Sequence, residues 1–396
     1  MKLPEPDHDA QAYSAALKSR IADDIKAAGG WIGFDRFMEL ALYAPGMGYY
    51  SGGAHKFGAA GDFVTAPEIS SAFSQTLATQ AAQIMALSAP QMIEVGAGSG
   101  RLAADLLLEL ELRGALPERY AILELSGELR ERQRATIRQR APHLLNRIDW
   151  LNRLPERFNG LVLANELLDA MPVHLVVWGV PEDEGDDPVI FERGVGVQAG
   201  EFVWRNRPAA GRVKKRAQLL GSALPAGALL APGFLSEICL AATDWTASWA
   251  SILDQGALLL IDYGFPRHEY YHPQRSSGTL MCHYRHYAHG DPFFLPGLQD
   301  ITAHVDFTAI VEAGFDAGLE FLGYTTQATF LLNCGLTEVL ARTPVEDYLH
   351  YLPQAQAALQ LISPAEMGEL FKVIALGKGI DEALIGFAQG DRSASI

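Results

Sequence analysis

Gln91-Met-Ile-Glu-Val-Gly-Ala-Gly-Ser-Gly-Arg101 reads as a short apolar strand, a turn through three glycines and the start of a leucine-rich helix. Ile93 and Val95 favour a strand. Gly96, Gly98 and Gly100 allow a tight turn and let a ligand reach the main chain without meeting a Cβ. An open α/β sheet builds its nucleoside crevice with such a turn at the carboxyl end of a strand. A dinucleotide site uses G-x-G-x-x-G and aims a helix N-terminus at a pyrophosphate. Here the order is G-x-G-x-G, and Glu94 stands two residues before the first glycine. A carboxylate there repels a pyrophosphate and suits a cation. S-adenosylmethionine, which carries an ammonium and a sulfonium and no phosphate, is the nucleoside that fits.

Working outward, residues 120–124, 147–151, 160–165 and 256–264 are further apolar runs set between helical stretches. They predict an α/β fold, a doubly wound parallel sheet covered on both faces. Helices are expected over 11–30, 31–43 and 67–87, with a glycine-rich lid loop between the last two. Residues 1–89 thus form an N-terminal helical segment and 90–396 the cofactor-binding domain. The alternation breaks after Pro172. Residues 173–235 read as a β-rich insertion with an acidic loop at 182–187, and 266–300 as a second, loop-like insertion. A final unit is expected to be antiparallel, with 325–333 as one of its strands.

Polar groups fall at four successive strand ends, which converge in such a sheet. Glu94 closes the first. Glu124, ending the second, can accept from both ribose hydroxyls. Asp149 can accept from an adenine amino group, and Trp150 can cover the ring. Asn165 and the glycine amides can hold the methionine portion. Thr65 is a candidate lid residue, although Thr65 and Glu68 also have the spacing of a capping box. Glu166 and Asp169 stand three apart and share a face in a helical turn. Two such carboxylates can grip a guanidinium. The competing reading is a helix start with Asn165 as N-cap. His304, near Asp306, is a candidate proton acceptor. Cys282, His283, His286 and His289 do not have the spacing of a known metal site, and no metal is expected.

The chain has 396 residues, 20% of them charged, and a net charge of −16. That balance disfavours nucleic acid and anionic membranes and suits basic partners. Three cysteines, far apart, form no C-x-x-C pair. Neither a signal peptide, a transit peptide nor a transmembrane run is legible, so a cytoplasmic protein is expected.

Several stretches together resemble the MidA-like methyltransferases, bacterial relatives of the mitochondrial complex I assembly arginine methyltransferase. They are Gly61-Asp-Phe-Val-Thr-Ala-Pro-Glu68, Glu94 to Gly100, Ala164-Asn-Glu-Leu-Leu-Asp-Ala-Met-Pro-Val173, Ile261-Asp-Tyr-Gly264 and Asp300-Ile-Thr-Ala-His-Val-Asp-Phe307. The resemblance implies a class I, Rossmann-like methyltransferase fold with S-adenosylmethionine as cofactor and S-adenosylhomocysteine as product. It implies a protein arginine as acceptor, by analogy a respiratory complex I subunit. A homodimer is one open oligomeric form. Two rivals stand beside this reading, a nicotinamide-dependent oxidoreductase and a non-catalytic assembly factor that retains the fold.

Overall fold

The structure, a computed structural model, describes residues 3–52, 64–179, 189–224 and 233–396. The centre of the expected lid loop and the acidic loop at 182–187 lie outside these residues. The central sheet contains β1 (Gln91–Val95), β2 (Arg119–Leu123), β3 (Ile148–Leu151), β4 (Phe158–Asn165), β5 (Leu253–Phe265), β6 (Glu320–Thr326) and β7 (Phe371–Lys378). Their order is β3-β2-β1-β4-β5-β7-β6. β1 to β5 run parallel, and β7 is antiparallel to both β5 and β6. The order reverses between β1 and β4, so the carboxyl ends of these strands flank a switch-point crevice.

Apolar side chains cover both faces. Helices Ser71–Leu87 and Arg101–Leu112 pack on one through Phe73, Leu77, Leu106 and Leu107. Helices Leu240–Ile252 and Phe307–Asp316 pack on the other through Trp249, Phe307 and Ile310. Burial on both sides explains why Leu161–Ala164 and Ala257–Ile261 are continuous apolar runs.

Between β4 and β5 the chain builds a second, antiparallel sheet. Strand His174–Trp178 lies between Ile190–Gln198 and Phe234–Ile238, and Glu201–Pro208 extends the sheet beyond Ile190–Gln198. Its side chains alternate. Leu175 and Val195 share a core with Leu17, Ile21, Phe34 and Phe37 of the N-terminal helices His8–Ala27 and Phe34–Tyr43. Val176 and Trp178 face Val213 and Leu220 of helix Gly211–Ala223.

Local expectations fail where polar side chains compete for the backbone. The helix expected over 67–87 breaks at Ser70, whose hydroxyl caps a new start at Ser71 by accepting from the Ala72 amide at 3.1 Å. The strand expected over 325–333 ends at Thr326, which caps helix Gln327–Asn333. No helix begins at Asn165.

Candidate functional site

A cavity of about 1110 Å³ opens over the carboxyl ends of β1, β2 and β4. Its glycine wall comes from the turn after β1. Gly96 and Gly98 have φ of 70° and 51°, in the left-handed region that favours glycine. Thr65, Glu94, Gly96, Gly98, Glu124, Asn165 and Glu166 all line the cavity.

Glu94 is 1% exposed, and the Tyr120 hydroxyl donates to its Oε2 at 2.5 Å. Burial pushes its carboxyl up to about 7, against that hydrogen bond. Glu124 is also buried, and burial raises it too. Its Oε1 accepts from the Ser126 amide at 2.9 Å and its Oε2 from Gln133 Nε2 at 3.1 Å.

Gln133, which the sequence reading missed, links the cradle together. Its Nε2 also reaches the Gly98 carbonyl at 3.2 Å, and its Oε1 accepts from the Trp150 indole at 2.9 Å. Gln133→Ala is expected to weaken S-adenosylhomocysteine binding about tenfold or more. It leaves Glu124 and Trp150 short of partners, at a cost of about 1–3 kcal/mol. Calorimetric titration checks this.

Other sequence candidates fall elsewhere. Asp149 does not reach the cavity. β3 is the sheet edge, its side-chain alternation turns Asp149 to solvent, and its carboxylate sits 3.6 Å from Arg119 Nη2. Trp150 is likewise outside the lining, held by Gln133 with the Arg134 guanidinium 4.5 Å from its ring centre. Gly100 serves packing, since a Cβ there would lie 2.9 Å from Gln133 Cα. Thr65 starts the short helix Ala66–Ile69 but makes no capping hydrogen bond. Glu68 turns to the glycine loop instead, accepting from the Ser99 hydroxyl and lying 3.5 Å from Arg101 Nη1.

The segment after β4 is a turn rather than a helix, so the shared helical face of Glu166 and Asp169 does not exist. Glu166 has φ 51°, which costs a non-glycine residue about 1–3 kcal/mol. Asp262 holds that conformation. Its Oδ2 accepts from the amides of Leu167, Leu168 and Asp169 at 3.1, 2.8 and 3.3 Å, and its Oδ1 from the Tyr263 amide at 2.9 Å. Asp262→Asn can satisfy only one side of this arrangement. It is expected to cut turnover at least tenfold and to lower the melting temperature, measurable by kinetics and calorimetry.

Glu166 accepts from Asn165 Nδ2 at 3.0 Å. Burial, then repulsion from Asp169, pushes its carboxyl up to about 8. Asp169 is 5% exposed and stands one layer behind the lining, with Oδ1 lacking a partner among the described residues. Burial raises it as well. His304 is not in the cavity. It is half-buried against Tyr263, ring centres 5.2 Å apart. Burial, with Arg275 and Lys372, pushes it down to about 4, so it stays neutral behind the site.

The far wall comes from the N-terminal helices. Asp35, Glu39 and Tyr43, one helical face, line the cavity with Tyr50 and His174. His174 Nδ1 lies 2.8 Å from Glu192 Oε1 and 3.4 Å from Asp35 Oδ1. Among the described residues these three form the one metal-type grouping, and residues 282–289 do not form another. Among the described residues, the cavity lining includes Asp35, Glu39, Glu68, Glu94, Glu124 and Glu166 against Arg153 and His174. It favours a cationic occupant. Asn165 Oδ1 is buried beside the glycine turn without a partner among the described residues, and is placed to receive an ammonium donor.

The chain matches, over residues 76–325, the profile of a family described as S-adenosyl-L-methionine-dependent methyltransferases. It is 27% identical to the mitochondrial protein arginine methyltransferase NDUFAF7 homologue of Drosophila melanogaster, over 95% of this chain and 88% of that one. It is 27% identical to protein arginine methyltransferase NDUFAF7 of Danio rerio, over 91% and 86%. A crystal structure from Burkholderia thailandensis, bound to S-adenosyl-homocysteine, is 53% identical and superposes with a TM-score of 0.93 over 100% of both chains. Among the described residues no helix is long and apolar enough to cross a membrane.

Proposed function

The chain belongs to this family of S-adenosylmethionine-dependent methyltransferases, and from that membership we propose that it methylates a protein nitrogen, with arginine as the acceptor side chain. When bound, the cofactor supplies an electrophilic methyl group. Gly96, Gly98, Glu124 and Asn165 would hold it, with Glu94 favouring its positive charge. A pyrophosphate cofactor would meet buried Glu94 instead, which argues against a nicotinamide enzyme.

The observation that carries the acceptor reading is Glu166, half-buried at the cavity wall, strained and backed by Asp169 and Asp262. An ionised Glu166 can accept a hydrogen bond from a guanidinium N–H, orient its nitrogen and take up the proton lost on methylation. The relatives' names, protein arginine methyltransferase, support the same acceptor. The family resemblance points further to a respiratory complex I subunit. Incubating the protein with labelled cofactor and a cell lysate, followed by mass spectrometry, tests the proposal. Label on arginine is the expected result, and label only on another group, or on none, rejects it.

The raised carboxyl of Glu166 sets a pH dependence. Below about 8 it is neutral in the empty cavity and cannot grip a cation. The free-enzyme parameter kcat/KM is therefore expected to rise about tenfold per pH unit up to about pH 8 and then level off.

A further inference from the structure

Tyr43 and Tyr50 lie beside the Glu166 turn and have no part in the chemistry so far described. Both line the cavity. Their rings are stacked, with centres 5.5 Å apart and planes inclined by 22°. Each hydroxyl is pinned to an element of the site. Tyr43 donates to the Ala170 carbonyl at 2.9 Å, one residue beyond Asp169. Tyr50 donates to Asp300 Oδ1 at 2.9 Å, and Asp300 is 2% exposed. Burial, with the nearby carboxylates, raises both hydroxyls, so they remain donors at neutral pH. Tyr43 nevertheless keeps 39% of its surface exposed.

Resting on the proposed nitrogen acceptor, we infer that the Tyr43–Tyr50 stack is a guanidinium platform that makes the site select arginine over lysine. A stacked aromatic pair offers a fixed π-surface at little entropic cost. A planar guanidinium can lie on such a surface while donating in its own plane to a carboxylate. Glu166 supplies that carboxylate. An ammonium is a strongly hydrated point charge with no plane to stack, so it gains from the carboxylate and little from the rings. The two pins tie the platform to the carboxylate turn through Ala170 and to the second insertion through Asp300. The distance between rings and carboxylate is therefore held by the fold. Tyr43 and Tyr50 are specificity residues, and Asp300, acting through Tyr50, is a positioning residue.

The test is a binding measurement. The full-length protein saturated with S-adenosylhomocysteine is titrated calorimetrically with a glycine-flanked arginine pentapeptide and with its lysine counterpart. At least a tenfold preference for arginine is expected. Tyr43→Leu, which removes the π-surface, should reduce the preference to twofold or less without changing S-adenosylhomocysteine affinity. Tyr43→Phe, which keeps the ring, should retain most of it. Three results overturn the platform: no arginine preference in the native protein, binding of neither peptide, or a preference that survives Tyr43→Leu in a variant that still binds S-adenosylhomocysteine. Methyl transfer is read separately by mass spectrometry. Arginine-selective binding without transfer would leave the platform standing and remove the catalytic proposal.

Discussion

Glu166→Gln should lower kcat by about 10²–10⁴-fold, the range ascribed to a positioned acid–base group. Glutamine fills the same space and can still accept from Asn165. It can neither carry the charge that holds a guanidinium nor take up a proton. Cofactor affinity should change little, since Glu166 belongs to the acceptor side, and the rise of kcat/KM toward pH 8 should flatten. Single-turnover kinetics with the labelled cofactor separate the effects. A variant with native kcat would show that Glu166 is strained for some other reason.

Gly98→Val should abolish measurable S-adenosylhomocysteine binding, a loss of at least a hundredfold by calorimetry. Gly98 has φ 51°, which a β-branched residue adopts only under strain. Its added side chain would also stand at the lining of the cavity. The Gly98 carbonyl holds Gln133, so a shifted turn would disturb Glu124 as well. Unchanged affinity would mean that the cofactor lies away from the glycine turn.

The sheet and the glycine-turn wall of the cavity were legible because both are local. Continuous apolar runs announce strands buried on two faces, and strand, glycine turn and helix follow one another within a few residues. Glu94, Glu124 and Asn165 then follow from their places at strand ends. Asp149 fails by parity, because one residue along a strand changes the face, and at the edge strand that face is solvent. Gln133 reads as one more polar residue on an arginine-rich helix, and nothing nearby reveals that it turns inward. Asp262 reads as the polar end of a strand, and its amide partners at 167, 168 and 169 become visible only when β5 lies beside β4. The Glu166 turn misleads because Asn165 and Glu166 also suit a helix start. Only the cross-strand carboxylate tips the balance to a left-handed turn.

Tyr43 meets Ala170 across 127 residues of chain, and Tyr50 meets Asp300 across 250. A nascent chain leaving the ribosome can therefore assemble its glycine cradle, and give Tyr43 its partner, before half its length has emerged, but Tyr50 must wait for Asp300 until well over half has done so. Contacts of such long sequence separation are slow to close. During synthesis the protein should thus acquire its nucleoside grip before its discrimination among acceptors, and remain selective only once complete.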